Sequence, residues 1–248
     1  MTRTVTWQDY DAVLFDLDGV ITPTAEVHMR AWSDMFNAFL ASWEGDGDTS
    51  PYSDADYFAH VDGKPRYDGV RDFLSSRGIG LPEGGPDDAP DADTVCGLGN
   101  RKNDAFNVVL ARDGVQAYPG SVLLLDHLDR LGVPMGVVSS SANAPAVLEA
   151  AGLLDRFRTV VSGRVAAELG LAGKPAPDTF LHAAAELDGR AERSVVLEDA
   201  VSGVRAGAAG HFGLVVGVDR GAGDAALREA GAGVVVADLA ELVPDGAA

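Results

Sequence analysis

From about Tyr118 onward, hydrophobic and polar positions form two alternating patterns. Short apolar runs predict buried strands, and apolar residues spaced three or four positions apart predict the helices between them. With a first strand at Ala12–Asp16, the predicted strands are Val133–Ser139, Arg158–Ser162, Ser194–Glu198, Phe212–Val218 and Ala232–Val236. The predicted helices are Gly120–Leu131, Ala144–Ala151, Pro177–Leu187, Val201–Ala209 and Gly223–Ala230. This alternation predicts an α/β fold in which helices cover a parallel sheet.

The alternation of strands and helices is absent from residues 24 to 110, and no strand is predicted there. Helical spacing indicates helices over Thr24–Trp43, Tyr52–His60, Tyr67–Ser76 and Val95–Asp113, with Thr24 as the N-cap of the first. The Gly-, Pro- and Asp-rich stretch Gly78–Asp93 predicts an exposed, mobile loop. We therefore expect a helical domain (24–110) inserted into an α/β core (1–23 and 111–248). An insertion at that point would cover the carboxyl ends of the strands, where ligands bind in open parallel sheets.

Composition narrows the class of protein. The formal net charge of the 248 residues is −19, which argues against nucleic acid or an anionic membrane as a partner. Cys96 is the single cysteine, so an intrachain disulfide is impossible and a reducing compartment is favoured. The polar stretch Met1–Tyr10 lacks an apolar signal core, and no apolar run approaches the ~18 residues of a membrane span. We expect a soluble, cytoplasmic monomer whose partner is a small molecule.

Polar side chains follow four of the predicted strands, three of them where the strand ends and Lys174 some way after the strand Arg158–Ser162. Each has an ordinary structural explanation, because serine and aspartate cap helices and a lysine beside prolines can lie on a solvated loop. Those explanations do not account for their convergence on one edge of a parallel sheet. The residues are Asp16 and Asp18, Ser139, Lys174, and Glu198 with Asp199.

This set of side chains suits phosphoryl transfer. Asp16 is the candidate nucleophile that would form an aspartyl phosphate, and Asp18 the candidate general acid and base. Ser139 and Lys174 would hold the phosphate oxygens as charge builds on them. Mg²⁺ would neutralise the repulsion between nucleophile and substrate, and the candidate ligands are the carboxylates of Asp16, Asp18, Glu198 and Asp199.

The motifs resemble those of the haloacid dehalogenase (HAD) superfamily, in the branch that carries a helical cap after the first strand. The family pattern of Asp-x-Asp, Ser or Thr, Lys and an acidic pair is matched by the residues just named. The resemblance implies a Rossmann-like core, Mg²⁺ and an aspartyl-phosphate intermediate. Asp18 favours phosphoryl chemistry over dehalogenation, because cleavage of a carbon–halogen bond needs no such proton donor.

Further segments are similar to the β-phosphoglucomutase-like subfamily, namely 16–22, 24–32, 101–104, 118–120 and 174–178. The resemblance implies that Thr24 and His28 couple cap closure to Asp18 and that Arg66 grips the distal phosphate of the substrate. By the same resemblance Lys102 and Asn103 help to close the site, and Ser140 and Asn143 bind phosphate beside Ser139. Helical spacing separately places His28 on the inward face of its helix, where a structural role is the ordinary alternative.

The sequence also departs from the subfamily. Asp62 and Ala142 stand where the mutases carry lysines, with Lys64 as a candidate replacement for the first, and Pro23 stands where they carry an aspartate. We expect a hexose-phosphate mutase that converts β-glucose 1-phosphate to glucose 6-phosphate. The alternative is a sugar-phosphate phosphatase with the same catalytic residues, which the loss of the cap lysine at Asp62 favours. A phospho-acceptor signalling module and a catalytically inactive relative are the rival classes.

Overall fold

The computed structural model describes residues 5–244, which form two compact units. One unit comprises residues 5–23 and 115–244, and the other is the segment Thr24–Gly114. The stretch Met1–Tyr10 falls partly outside the described residues, as do the predicted core ends at residues 1 and 248. No helix within residues 5–244 combines the length and apolar character needed to cross a membrane.

The core of the first unit is a parallel sheet. Its strands are β1 (Ala12–Phe15), β2 (Met135–Val138), β3 (Thr159–Val161), β4 (Ser194–Glu198), β5 (Leu214–Val218) and β6 (Val234–Val236). They lie in the order β3-β2-β1-β4-β5-β6, and all neighbouring pairs are parallel. All four residues of β1 are buried, because helices cover both faces of such a sheet. The predicted α/β fold is confirmed.

The helices complete the two units. Among the described residues the α-helices are α1 (Thr24–Ser42), α2 (Asp54–Asp56), α3 (Arg66–Ser76), α4 (Val95–Asp113), α5 (Pro119–Leu131), α6 (Ala144–Ala150), α7 (Gly163–Leu169), α8 (Asp178–Glu186), α9 (Val201–Ala209) and α10 (Asp224–Ala230). Single 3-10 turns lie at Trp7–Asp9, Leu154–Arg156, Ala191–Arg193 and Leu239–Leu242, and Tyr57–Val61 is a π-helix. Helix α7 is an α-helix that the hydrophobic pattern does not predict, because a segment of seven residues is too short to show a helical period.

The helix predicted over Tyr52–His60 begins at Asp54, and from Tyr57 it continues as a π-helix. Ser53 forms a capping box with Asp56, in which the Ser53 hydroxyl accepts from the Asp56 N–H and the Asp56 carboxylate accepts from the Ser53 N–H. This box fixes the start of α2 at Asp54. Tyr52 is therefore left outside the helix, and its ring packs with Phe36 and Phe73 at centroid distances of 5.0 and 4.9 Å.

The segment 78–93 is irregular, as predicted, but it is bonded to its surroundings. The Asn100 amide donates to the carbonyls of Pro86 and Asp88 at 3.0 and 2.9 Å, and Arg101 Nε donates to the Pro90 carbonyl at 2.6 Å. The Asn100 side-chain oxygen also accepts from the Tyr67 hydroxyl at 2.9 Å. These bonds from α4 argue for an ordered loop rather than the mobile one that composition alone suggests.

Asn100→Ala is expected to loosen this loop. The substitution removes two bonds to the loop main chain, and each such bond contributes about 0.5–1.5 kcal/mol, so cleavage within residues 82–93 should become about tenfold faster. Limited proteolysis followed by mass spectrometry measures the rate. Asn107→Ala, which changes an exposed asparagine on the same helix, is the matched control. Equal cleavage rates in the two variants would show that Asn100 does not hold the loop.

Candidate active site

The register of the sheet brings the ends of its central strands level. Phe15, the last residue of β1, lies opposite Val137 of β2 and Leu197 of β4. Asp16 follows Phe15, and its N–H donates to the Leu197 carbonyl at 2.9 Å. The residues that follow Val137 and Leu197, including Ser139 and Glu198, therefore lie at the same edge as Asp16. The structure brings the core residues of the predicted site together at this edge.

Lys174 lies among these strand ends. Its ammonium group donates to Oδ1 of Asp16 and to the carbonyl of Val138, the latter at 3.0 Å, and lies 2.6 Å from Oε1 of Glu198. The exposed fractions of Lys174, Asp16 and Glu198 are 3%, 7% and 0%. Charged side chains are buried this deeply only when they are paired, so the three groups depend on one another.

Burial and charge shift the ionisation of this cluster. Burial raises the pKa of Asp16 well above its usual value, although Lys174 acts in the opposite direction, and Glu198 and Asp18 add to the rise. Burial alone would lower the pKa of Lys174, but the carboxylates of Asp16 and Glu198 raise it above its ordinary value. One buried ammonium group thus faces several carboxylates, and the excess negative charge favours a bound cation.

Three of the four predicted metal ligands converge. Asp16, Glu198 and Asp199 each offer a carboxylate oxygen, and these oxygens lie within 4.8 Å of one another. A set of carboxylate oxygens suits a hard divalent cation such as Mg²⁺. The fourth predicted ligand, Asp18, is not part of this group, and its Oδ2 lies 3.5 Å from the Ser139 hydroxyl.

Helix α9 shapes the position of Glu198. Oε2 of Glu198 accepts from the Ala200 N–H at 3.0 Å. Its other oxygen lies against Gly203, where a Cβ atom would stand 1.7 Å from Oε1. Only glycine leaves room for the carboxylate at this point, so the helix that follows β4 is adapted to the acidic residue that ends it.

The loop between β2 and α6 carries the other predicted phosphate-binding residues. The Ser139 hydroxyl accepts from the Ser141 N–H at 3.1 Å, and the Ser141 hydroxyl accepts from the Asn143 N–H at 3.2 Å. Ser140 and Asn143 lie on this same short loop. The hydroxyl-to-backbone bonds fix its course, as serine side chains commonly do in turns.

In the helical unit, His28 and Lys102 form a pair that the sequence did not predict. Lys102 is buried, and its ammonium group contacts Nδ1 of His28 and lies 4.9 Å from the centre of the Trp32 ring. The His28 ring stacks on Phe106 with centroids 4.0 Å apart. Thr24 is the first residue of α1, and Asn103 follows Lys102 on α4.

Arg66 and Lys64 differ in their partners. Arg66 begins α3, and its guanidinium lies 5.0 Å from the centre of the Tyr67 ring. No carboxylate pairs with Arg66 among residues 5–244, whereas most other arginines of the helical unit form ion pairs with carboxylates, namely Arg71, Arg77, Arg101 and Arg112. Lys64, the candidate replacement for a missing lysine, is instead paired with Asp72.

Arg220 is a residue at this edge that the sequence reasoning did not single out. It lies two residues beyond β5 and donates from Nε to the Gly19 carbonyl at 2.9 Å. Its signal was available, because it follows a predicted strand just as Asp16, Ser139 and Glu198 follow theirs. A solvated arginine after a strand is common, so its position in the sequence does not by itself mark it as functional.

Comparisons with known proteins agree with this geometry. A family model described as haloacid dehalogenase-like hydrolase matches residues 10–211. The chain is 52% identical over 239 residues to a β-phosphoglucomutase of Mycobacterium tuberculosis, covering 94% of this chain and 91% of that protein. It is 33% identical over 208 residues to a β-phosphoglucomutase of Bacillus subtilis, covering 83% of each. A solved hydrolase from Pseudomonas syringae shares the fold, with a TM-score of 0.75 and 22% identity over 94% of this chain and 95% of that one.

Gly203→Ala is expected to destabilise the first unit, because the added methyl group would displace the buried Glu198 carboxylate. Overpacking of this kind costs about 1–3 kcal/mol of unfolding free energy, which chemical denaturation measures. The matched control is Gly69→Ala in α3, where a Cβ atom would stand 3.4 Å from Val61 in ordinary contact. The control should be neutral or stabilising by up to about 1 kcal/mol, since alanine favours helix. Equal unfolding free energies for the two variants would contradict the packing described for Glu198.

Proposed function

The chain belongs to the haloacid dehalogenase-like hydrolase family, and on that premise we propose that it is a Mg²⁺-dependent phosphotransferase acting on small sugar phosphates. The proposed reaction converts β-glucose 1-phosphate into glucose 6-phosphate through a phosphoryl group carried on Asp16. The observation that carries the proposal is the buried Lys174, bonded to Asp16 and flanked by Glu198. The mycobacterial β-phosphoglucomutase, similar over nearly its whole length, supports the choice of substrate.

In the first half of the proposed reaction, a carboxylate oxygen of Asp16 attacks the phosphorus atom of a phosphorylated donor. The bond from phosphorus to the donor oxygen breaks, and Asp18 gives that oxygen a proton. Lys174 and the Ser139 hydroxyl hold phosphate oxygens whose charge increases as the bond breaks, with Ser140 and Asn143 on the same loop as further phosphate contacts. In the second half, Asp18 takes the proton of a hydroxyl group on the sugar phosphate. That oxygen then receives the phosphoryl group, and Asp16 is restored.

The proposed metal site consists of Asp16, Glu198 and Asp199. Their convergent oxygens and the excess negative charge around Lys174 fit a divalent cation. When bound, Mg²⁺ supplies positive charge that offsets the repulsion between the Asp16 carboxylate and the phosphate. Asp18 is better suited to proton transfer than to metal binding, because its carboxylate is not in the convergent group.

The helical unit is proposed to act as the cap of the superfamily, in which Thr24, His28, Lys102 and Asn103 help to close the site. Within that unit we propose that Arg66 binds the second phosphate of a bisphosphorylated sugar. The Tyr67 ring supports the guanidinium while leaving its N–H donors open to a ligand. A phosphate is bound well by such a planar, bidentate donor.

A sugar-phosphate phosphatase is the second candidate, and one observation favours it. Lys64, which could have replaced the cap lysine lost at Asp62, pairs with Asp72 and is partly neutralised there. A weaker hold on the second phosphate shortens the time for which a bisphosphate stays bound. Water then competes better with the sugar hydroxyl for the phosphoryl group.

The test of the proposed function is a paired assay of β-glucose 1-phosphate with Mg²⁺ and a trace of glucose 1,6-bisphosphate. Formation of glucose 6-phosphate without free phosphate is the expected result, and free phosphate as the main product would instead establish the phosphatase. Asp16→Asn should reduce either activity by at least about a thousandfold, as loss of a covalent nucleophile does. Asp9→Asn, an equal charge change at an exposed position, should leave it unaltered. Appreciable turnover by Asp16→Asn would refute the nucleophile.

Arg66→Ala is expected to separate substrates by their number of phosphates. Loss of charge-assisted bonds worth about 1.5–3 kcal/mol should lower kcat/KM for the bisphosphate about 10- to 100-fold. Hydrolysis of p-nitrophenyl phosphate, which has one phosphate, should change little. Arg71→Ala is the matched control, because Arg71 lies on the same helix and is paired with Asp68 and Glu83. Equal losses on both substrates would exclude a role for Arg66 in binding the second phosphate.

A further inference from the structure

The chain makes a tight turn immediately after Asp16, and this turn is held by its own main chain. The N–H of Gly19 donates to the Thr22 carbonyl at 2.7 Å. The N–H groups of Ile21 and Thr22 both donate to the Leu17 carbonyl, at 2.9 and 3.0 Å. Gly19 has a φ of +84°, a conformation that side-chain-bearing residues rarely adopt. We call residues 17–22 the nucleophile turn.

Arg220 holds the outer side of the nucleophile turn. Its Nε donates to the Gly19 carbonyl at 2.9 Å, and its Nη1 donates to the Ala237 carbonyl just beyond β6 at 3.0 Å. The guanidinium carbon lies 4.0 Å from the centre of the Tyr118 ring. The N–H of Tyr118 in turn donates to the Ile21 carbonyl at 2.9 Å. One planar group therefore joins the nucleophile turn, the end of the sheet and the residue that precedes α5.

The inner side of the turn lies against a candidate metal ligand. A Cβ atom at Gly19 would stand 1.9 Å from Oδ2 of Asp199 and 2.6 Å from its Cγ. The main chain of Gly19 thus packs directly on the Asp199 carboxylate. A shift of the Gly19 peptide changes the space in which that carboxylate lies.

We propose that Arg220 is a positioning residue that holds Gly19 in place and, through Gly19, keeps the Asp199 carboxylate within the cluster that it forms with Asp16 and Glu198. The inference rests on the proposed function, which assigns that cluster to a divalent cation. Arginine suits this role because its rigid, planar guanidinium can bond two carbonyls while its flat face stacks on the Tyr118 ring. Lysine has a single, compact donor group and cannot make the three contacts together.

The experiment compares Arg220→Gln and Arg220→Lys with Arg228→Gln. Arg228 lies on α10 and pairs with Asp224 at the surface, so its substitution removes the same charge from the same part of the unit. Arg220→Lys keeps the charge and tests geometry alone. Two measurements are made on each full-length protein, namely hydrogen exchange at the amides of Gly19, Ile21 and Thr22, and Mn²⁺ binding followed by electron paramagnetic resonance without substrate.

Both Arg220 variants are expected to exchange these three amides about tenfold faster and to bind Mn²⁺ about tenfold more weakly, as loss of a hydrogen bond from a charged donor predicts. Arg228→Gln should match the unaltered protein in both measurements. If Arg220→Gln does not fold, Arg220→Lys alone provides the comparison.

Unchanged exchange in the Arg220 variants would overturn the inference, and so would faster exchange with unchanged Mn²⁺ affinity. In both of those cases the metal site of the proposed function would stand, provided that Asp199→Asn weakens Mn²⁺ binding. Failure of the unaltered protein to bind Mn²⁺ would overturn the metal site and the inference together.

Discussion

The site depends on the ion pair that buries Lys174 against Asp16 and Glu198. Removing these groups from water is costly, and the cost is offset only while the ammonium group keeps all its partners. Those partners come from the ends of three neighbouring strands, since Val138 ends β2, Asp16 follows β1 and Glu198 ends β4. A slip of one residue between β1 and either neighbour would leave a buried charge without its counterpart. The contacts that build the site therefore also fix the register of the sheet.

The sequence predicts those parts of the molecule in which the local hydrophobic pattern alone determines where a residue lies in the fold. The apolar runs end at Asp16, Ser139 and Glu198, and parallel strands place their ends on one edge, so the convergence of these three side chains follows from the pattern alone. The same logic would have reached Arg220 after β5. The loops are predicted less well from local pattern. The segment 78–93, for example, is held by bonds from Asn100, which lies on a helix that comes later in the chain.

Contacts between distant residues lay beyond any pattern. Residues 28 and 102 are 74 positions apart, and nothing local in either helix indicates that an ammonium group and an imidazole will meet. The pair becomes understandable only in the folded unit, where Trp32 and Phe106 surround the lysine and provide the π faces that compensate for lost water. Likewise, the pairing of Lys64 with Asp72 decides how much positive charge remains near Arg66, and neither composition nor spacing reveals it.

The hydrogen bond between Ile21 and Tyr118 has a consequence for how such a chain can evolve. The two residues flank the point at which a segment of some ninety residues leaves the α/β unit and returns, yet their main chains are 2.9 Å apart. For the sheet, the helical unit is thus a loop whose ends already meet. Doubling the length of such a loop adds only about 0.6 kcal/mol of closure entropy. Helical modules of very different size and sequence can accordingly be accommodated at this junction without disturbing the sheet.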